Sequence, residues 1–132
     1  MRTLIVEDDF TNRLLLQELL RDFGDCHVAI NGKEAVLAVA AALEAGVAYD
    51  LICLDIMMPE MDGQQALKEI RALEDQKGRP AEKGTRVLMT TMARDKDNVM
   101  QAFREQCDGY LIKPIDKTKL VNALVDLGLL AT

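Results

Sequence analysis

Four short runs of nearly unbroken apolar residues recur along the chain: Leu4-Ile5-Val6, Leu51-Ile52-Cys53-Leu54, Val87-Leu88-Met89 and Tyr110-Leu111-Ile112. Runs of this length without polar alternation suit strands covered on both faces, as in a parallel sheet. A fifth segment, Cys26 to Ile30, mixes His27 into the pattern and has the look of an edge strand. After each strand the apolar spacing changes to that of a helix. Thr11 to Asp22 predicts a helix whose stripe is Leu15, Leu16, Leu19 and Leu20, continued by Phe23. Lys33 to Ala45 follows the Asn31-Gly32 turn, and Gly63 to Leu73 turns Ala66, Leu67 and Ile70 inward. Asp95 to Gln106 groups Val99, Ala102 and Phe103, and Lys117 to Leu127 groups Leu120, Leu124 and Leu127. Gly24, Gly46, Gly109 and Gly128 fall near element ends, where helix stops are expected. Glu74 to Thr85 is polar, contains Gly78, Pro80 and Gly84, and predicts a long surface loop.

Strict alternation of strand and helix indicates an α/β, doubly wound, five-stranded parallel sheet of order 2-1-3-4-5 with five helices. Ligands of such sheets sit at the carboxyl ends of the strands. The expected organisation is one domain over residues 1–128 and a short tail over 129–132, a stand-alone unit without an output domain.

Composition narrows the partners. The 132 residues carry a formal net charge of -6, with no cluster of Lys and Arg to meet a phosphate backbone or an anionic membrane. The longest apolar stretch, Ala35 to Leu43, is too short to span a bilayer, and no secretory leader is visible. Cys26, Cys53 and Cys107 form no ligand pattern and are expected to be reduced, buried thiols, which suits the cytoplasm.

The chemistry lies at the strand ends. The first strand closes on Glu7-Asp8-Asp9, the third on Asp55, the fourth on Thr90-Thr91 and the fifth on Lys113-Pro114. Each has an ordinary explanation alone: acids favour helix N-termini, a Thr caps a helix, a Lys is solvated. Together, in a parallel sheet, they converge on one edge. Two carboxylates about 4 Å apart repel by about 4 kcal/mol at an effective dielectric near 20, so crowded acids call for a cation. Oxygen donors without His or Cys select a hard ion, and Mg2+ suits a site that also meets phosphate. An ionised Asp55 could then attack a phosphoryl group in line, with Lys113 and Thr91 meeting the equatorial oxygens.

At this point the chain resembles response-regulator receiver domains (CheY-like, of two-component signal transduction) over essentially its whole length. The resemblance rests on Leu4 to Asp9, Asp55 to Pro59 with Met61-Asp62-Gly63, Thr91, and Tyr110 to Pro114. It implies that Asp55 is the phospho-acceptor and that Thr91 and Lys113 bind the phosphoryl group. Receivers commonly carry Arg five residues after the metal-ligating Asp. Arg13 therefore selects Asp8 as the direct Mg2+ ligand, with Glu7 acting through water and Asp9 leading into the first helix. The Met57 backbone carbonyl would complete the metal set. Tyr110 is expected as the switch aromatic, Lys113-Pro114 as a cis peptide, and the fourth helix, fifth strand and fifth helix as the signalling face. The implied partners are a histidine kinase or histidine phosphotransferase and an unspecified downstream protein.

Met92 departs from the family's small residue after Thr91. Met57 and Ala93, which flank the approach of water in receivers, cannot polarise it, so slow autodephosphorylation is expected. The implied protein is a signalling phosphoacceptor and not an enzyme. The rival reading, a Mg2+-dependent phosphohydrolase with an aspartate nucleophile, wants a second Asp where Met57 stands. A flavin or dinucleotide module wants a glycine-rich first turn, where Glu7-Asp8-Asp9 stands instead.

Overall fold

The structure, a computed structural model, describes residues 1–56, 58, 61–79, 84–92 and 107–131. Five parallel strands, β1 (Thr3–Val6), β2 (Cys26–Ala29), β3 (Leu51–Asp55), β4 (Arg86–Thr91) and β5 (Gly109–Ile112), form one sheet in the order β2-β1-β3-β4-β5. This is the expected doubly wound arrangement. β1 and β3 are buried along their whole length, whereas β2 is half open, as its His27 suggested. Three helices, α1 (Phe10–Leu20), α2 (Gly32–Glu44) and α3 (Gly63–Gln76), and a C-terminal helix (Lys117–Asp126) cover the sheet. The fourth of the five expected helices, over Asp95 to Gln106, lies outside the described residues, and so does its part of the expected signalling face. No described helix is long and apolar enough to cross a membrane.

Two apolar layers hold the sheet. Leu4, Val6, Ile52, Leu54, Val87 and Met89 point to the α2 and α3 side, against Ala35, Val39, Leu67 and Ile70. Ile5, Leu51, Cys53 and Leu88 point the other way, against Leu16, Leu20, Leu120 and Leu124. The alternation along each strand is thus apolar on both sides, which produced the unbroken runs. Cys53 and Cys107 are buried free thiols and Cys26 is half-buried. Burial pushes the Cys53 thiol up to about 12, so it is inert packing.

Each long helix begins at a polar cap: the side chains of Asp9, Asn31, Asp62 and Asp116 accept from the backbone N–H of Asn12, Glu34, Gln65 and Lys119. Two stripes differ from expectation. Leu15 is not part of the inward face of α1; it is 38% exposed, and Leu16 and Leu20 carry the burial. α3 does not stop at Leu73 but runs on to Gln76, ended by Gly78 at φ 75. Glu74 and Thr85, expected on a surface loop, are buried. The cause is a set of ion pairs. The Arg71 guanidinium meets Glu74 at 2.6 Å and Asp108 at 2.9 Å and donates to the Thr85 carbonyl at 2.8 Å.

Candidate metal and phosphoryl site

Strand register decides which side chains meet at the carboxyl edge. Val6 pairs with Leu54 and Asp55 with Thr90, so Glu7 and Asp55 leave adjacent strands at one level. Thr91 pairs with Ile112, which sets Lys113 beside it, and the Lys113 N–H donates to the Thr91 carbonyl at 2.7 Å. The Lys113-Pro114 peptide is cis, as the resemblance implied.

Glu7, Asp8 and Asp55 each present a carboxylate oxygen, and these lie within 4.8 Å of one another. Asp55 and Glu7 are buried and Asp8 is exposed, so the trio opens to solvent on one side. Asp9 stands apart, engaged as the α1 cap, and the ordinary explanation for a strand-end acid is correct for it alone. Lys113 enters from β5. Its Nζ lies 2.9 and 3.3 Å from the two Glu7 oxygens and 3.4 Å from Asp55 Oδ2.

These distances explain the electrostatics. Burial, followed by the hydrogen bond and charge of Glu7, pushes the Asp55 carboxyl up to about 7; Lys113 opposes this without cancelling it, being held more tightly by Glu7. Burial also works against the Lys113 ammonium, but the bond to Glu7 and the charges of Asp55 and Glu7 outweigh it, and its pKa lies above the ordinary value. One ammonium does not balance three carboxylates. The donor set is oxygen only, compact and open on one face, which fits a hard divalent cation.

Thr91 is buried at the same edge, its hydroxyl donating to the Met92 carbonyl at 3.1 Å. Met92 itself is 44% exposed. Tyr110, the second residue of β5, is 37% exposed. Met57 and Ala93 lie outside the described residues, so the carbonyl expected to complete the metal set and the positions expected to govern water are not described.

The end of β3 is seated by a close approach. The Gly63 N–H donates to the Ile56 carbonyl at 2.9 Å, and a Cβ at Gly63 would collide with the Asp55 carbonyl oxygen. The side chains that sequence reasoning missed lie at the opposite edge. There Asp108 accepts from Val87 N–H at 2.8 Å and meets Arg86 at 3.3 Å, beside the Arg71 and Glu74 pair. Their signal is weak in sequence, because Arg71 and Asp108 are 37 residues apart.

Comparison with known proteins agrees with this geometry. The response regulator receiver domain family matches residues 3–125. The sensor protein GacS of Pseudomonas syringae pv. syringae is 36% identical over 124 residues, which are 94% of this chain and 13% of that protein. The transcriptional regulatory protein CiaR of Streptococcus pneumoniae is 37% identical over 116 residues, 86% of this chain and 45% of that one. The chain therefore spans less than half of these relatives. Among solved structures, a CheY-like receiver domain from Methylobacillus flagellatus superposes with a TM-score of 0.77 at 27% identity, covering 96% of this chain and 98% of that one. The receiver domain of the histidine kinase CKI1 from Arabidopsis thaliana, complexed with Mg2+ and BeF3-, gives 0.77 at 27% identity, covering 96% and 89%. With its sheet order, strand-end residues and sequence in agreement, the chain belongs to the response regulator receiver domain family.

Proposed function

We propose that residues 1–128 form a phosphoacceptor domain that takes a phosphoryl group onto Asp55 from a histidine kinase or histidine phosphotransferase in the cytoplasm. The observation that carries this reading is the meeting of Glu7, Asp8 and Asp55 oxygens within 4.8 Å, beside the Lys113 ammonium. Asp8 and Asp55 would hold Mg2+ with the Met57 carbonyl, and Glu7 would act through water. Bound Mg2+ supplies charge neutralisation for the acids and for the incoming phosphoryl oxygens.

Asp55, ionised once its crowding is relieved, attacks phosphorus with a carboxylate oxygen. The new O–P bond forms as the P–N bond of a phosphohistidine breaks, and the imidazole nitrogen leaves with that electron pair and is protonated. Lys113 is placed to pair with one phosphoryl oxygen and the Thr91 hydroxyl to donate to another. Drawing Thr91 toward the phosphoryl group frees the space that lets Tyr110 turn inward, which alters β5 and the C-terminal helix for a downstream partner. A domain of this kind is a signalling acceptor with slow self-dephosphorylation and not a turnover catalyst.

Intact mass after treatment with a small phosphodonor and Mg2+ tests the reading. The wild type gains one alkali-labile phosphoryl group and Asp55→Asn gains none. An equal gain in the Asn variant would place the acceptor elsewhere.

A further inference from the structure

Arg13 contacts none of the three acid side chains of the cluster in any bond described above, yet its side chain holds the backbone just before Asp8, while its backbone N–H makes the first helical bond of α1, to Asp9. Its Nη1 donates to the Glu7 carbonyl at 3.0 Å, and its own backbone N–H donates to the Asp9 carbonyl at 2.9 Å. The Glu7 carbonyl belongs to the peptide plane that carries the Asp8 nitrogen and Cα, so holding that oxygen holds the N–Cα bond from which the Asp8 side chain branches. Glu7 is held as well by its N–H on the Ala29 carbonyl at 3.1 Å, and Asp9 by its cap on α1. Asp8 is thus an exposed acid between a Glu7 carbonyl held by the Arg13 guanidinium and an Asp9 fixed as the cap of α1.

A second observation explains how the guanidinium stays in place. Its carbon lies 5.5 Å from the centre of the Phe10 ring. Phe10 is 67% exposed and belongs to neither apolar layer, an unusual place for a phenylalanine. A ring face beneath a cation is attractive, and Arg favours such stacking.

We infer that Arg13, steadied by the ring of Phe10, is a positioning residue that orients Asp8 for the divalent cation. This rests on the reading of Asp8 as a metal ligand given above. The sign of a substitution's effect separates positioning from charge. Arg13 is a cation near a cation site, so if it mattered only electrostatically, its removal would tighten Mg2+ binding. If it orients Asp8, removal weakens binding despite the lost repulsion. Groups that orient ligands commonly change metal affinity tenfold or more.

The experiment is Mg2+ titration by calorimetry on the whole chain, with thermal unfolding in EDTA recorded for every variant. Arg13→Gln is expected to weaken Mg2+ binding on the order of tenfold, and Phe10→Leu to weaken it in the same direction by less. Arg13→Lys, which keeps charge and a donor, should recover part of the loss. Unchanged or tighter binding in Arg13→Gln overturns the inference, and lowered thermal stability with wild-type affinity assigns Arg13 to folding alone and overturns it equally. Asp8→Asn is the control for the underlying reading. If that variant binds Mg2+ as well as the wild type, the metal assignment itself fails, an outcome distinct from failure at Arg13.

Discussion

The two ends of the sheet each carry a buried ionic cluster, and the clusters are composed oppositely. At the amino edge three guanidinium groups, Arg71, Arg79 and Arg86, surround two carboxylates, Glu74 and Asp108, with the Thr85 and Val87 N–H groups adding donors. At the carboxyl edge three carboxylates cluster, and one ammonium pairs with two of them, Glu7 and Asp55. In the first, donors and acceptors meet at 2.6 to 3.4 Å and tie α3 to the starts of β4 and β5. The second crowds carboxylates, and burial first, then the neighbouring Glu7, raise the pKa of Asp55. A cluster whose ion pairs tie helix to strands serves the fold, and one in which carboxylates crowd together can take a further cation for chemistry.

Breaking this contrast should produce unequal effects. The largest is at the amino edge. Glu74→Ala strips Arg71 and Arg79 of a buried partner and should cost about 3 kcal/mol in denaturant unfolding, with phosphorylation of the folded fraction unaltered. A loss no greater than that of a surface substitution would remove the structural role. Next, Mg2+ at a hundredfold excess over its Kd should stabilise the wild type by about 2.7 kcal/mol, and Asp8→Asn should abolish most of that gain. A third effect concerns pH. The folded Asp55 pKa of about 7 lies above that of an unfolded Asp, so the metal-free folded state binds the extra proton between about pH 4 and pH 7. Stability is therefore fullest at the acid side of this window and is lost as pH rises through 7. Asp55→Asn should flatten that slope and gain on the order of 2 kcal/mol at pH 8; a steep slope persisting in the variant would assign it to another group. The smallest effect is at Lys77 and Glu44, a 2.7 Å pair between exposed side chains, where Lys77→Ala should leave the melting temperature unmoved within error.

How much of this was legible in the sequence follows from the range of each interaction. β1, β3 and β4 were visible because two-sided burial leaves no room for polar alternation. Glu7, Asp8, Asp55 and Lys113 were visible because parallel strands bring their carboxyl ends to one edge without knowledge of any contact. The end of α3 was misplaced because Leu73 ends the apolar stripe, whereas the backbone stops only where Gly78 adopts positive φ. Glu74 and Arg71 resemble an ordinary exposed pair at a spacing of three until Thr85 and Asp108 arrive from distant segments. Leu15 misled in the other direction: it lies at the flank of α1, where helical periodicity alone does not separate a buried leucine from an exposed one.

The hydrogen bond from Gly63 to Ile56, with no space for a single carbon between Gly63 and the Asp55 carbonyl, closes the chain on itself directly behind the acceptor. The end of β3 and the start of α3 are thereby fixed to one another. An alanine at position 63 would therefore disturb the strand and the helix together.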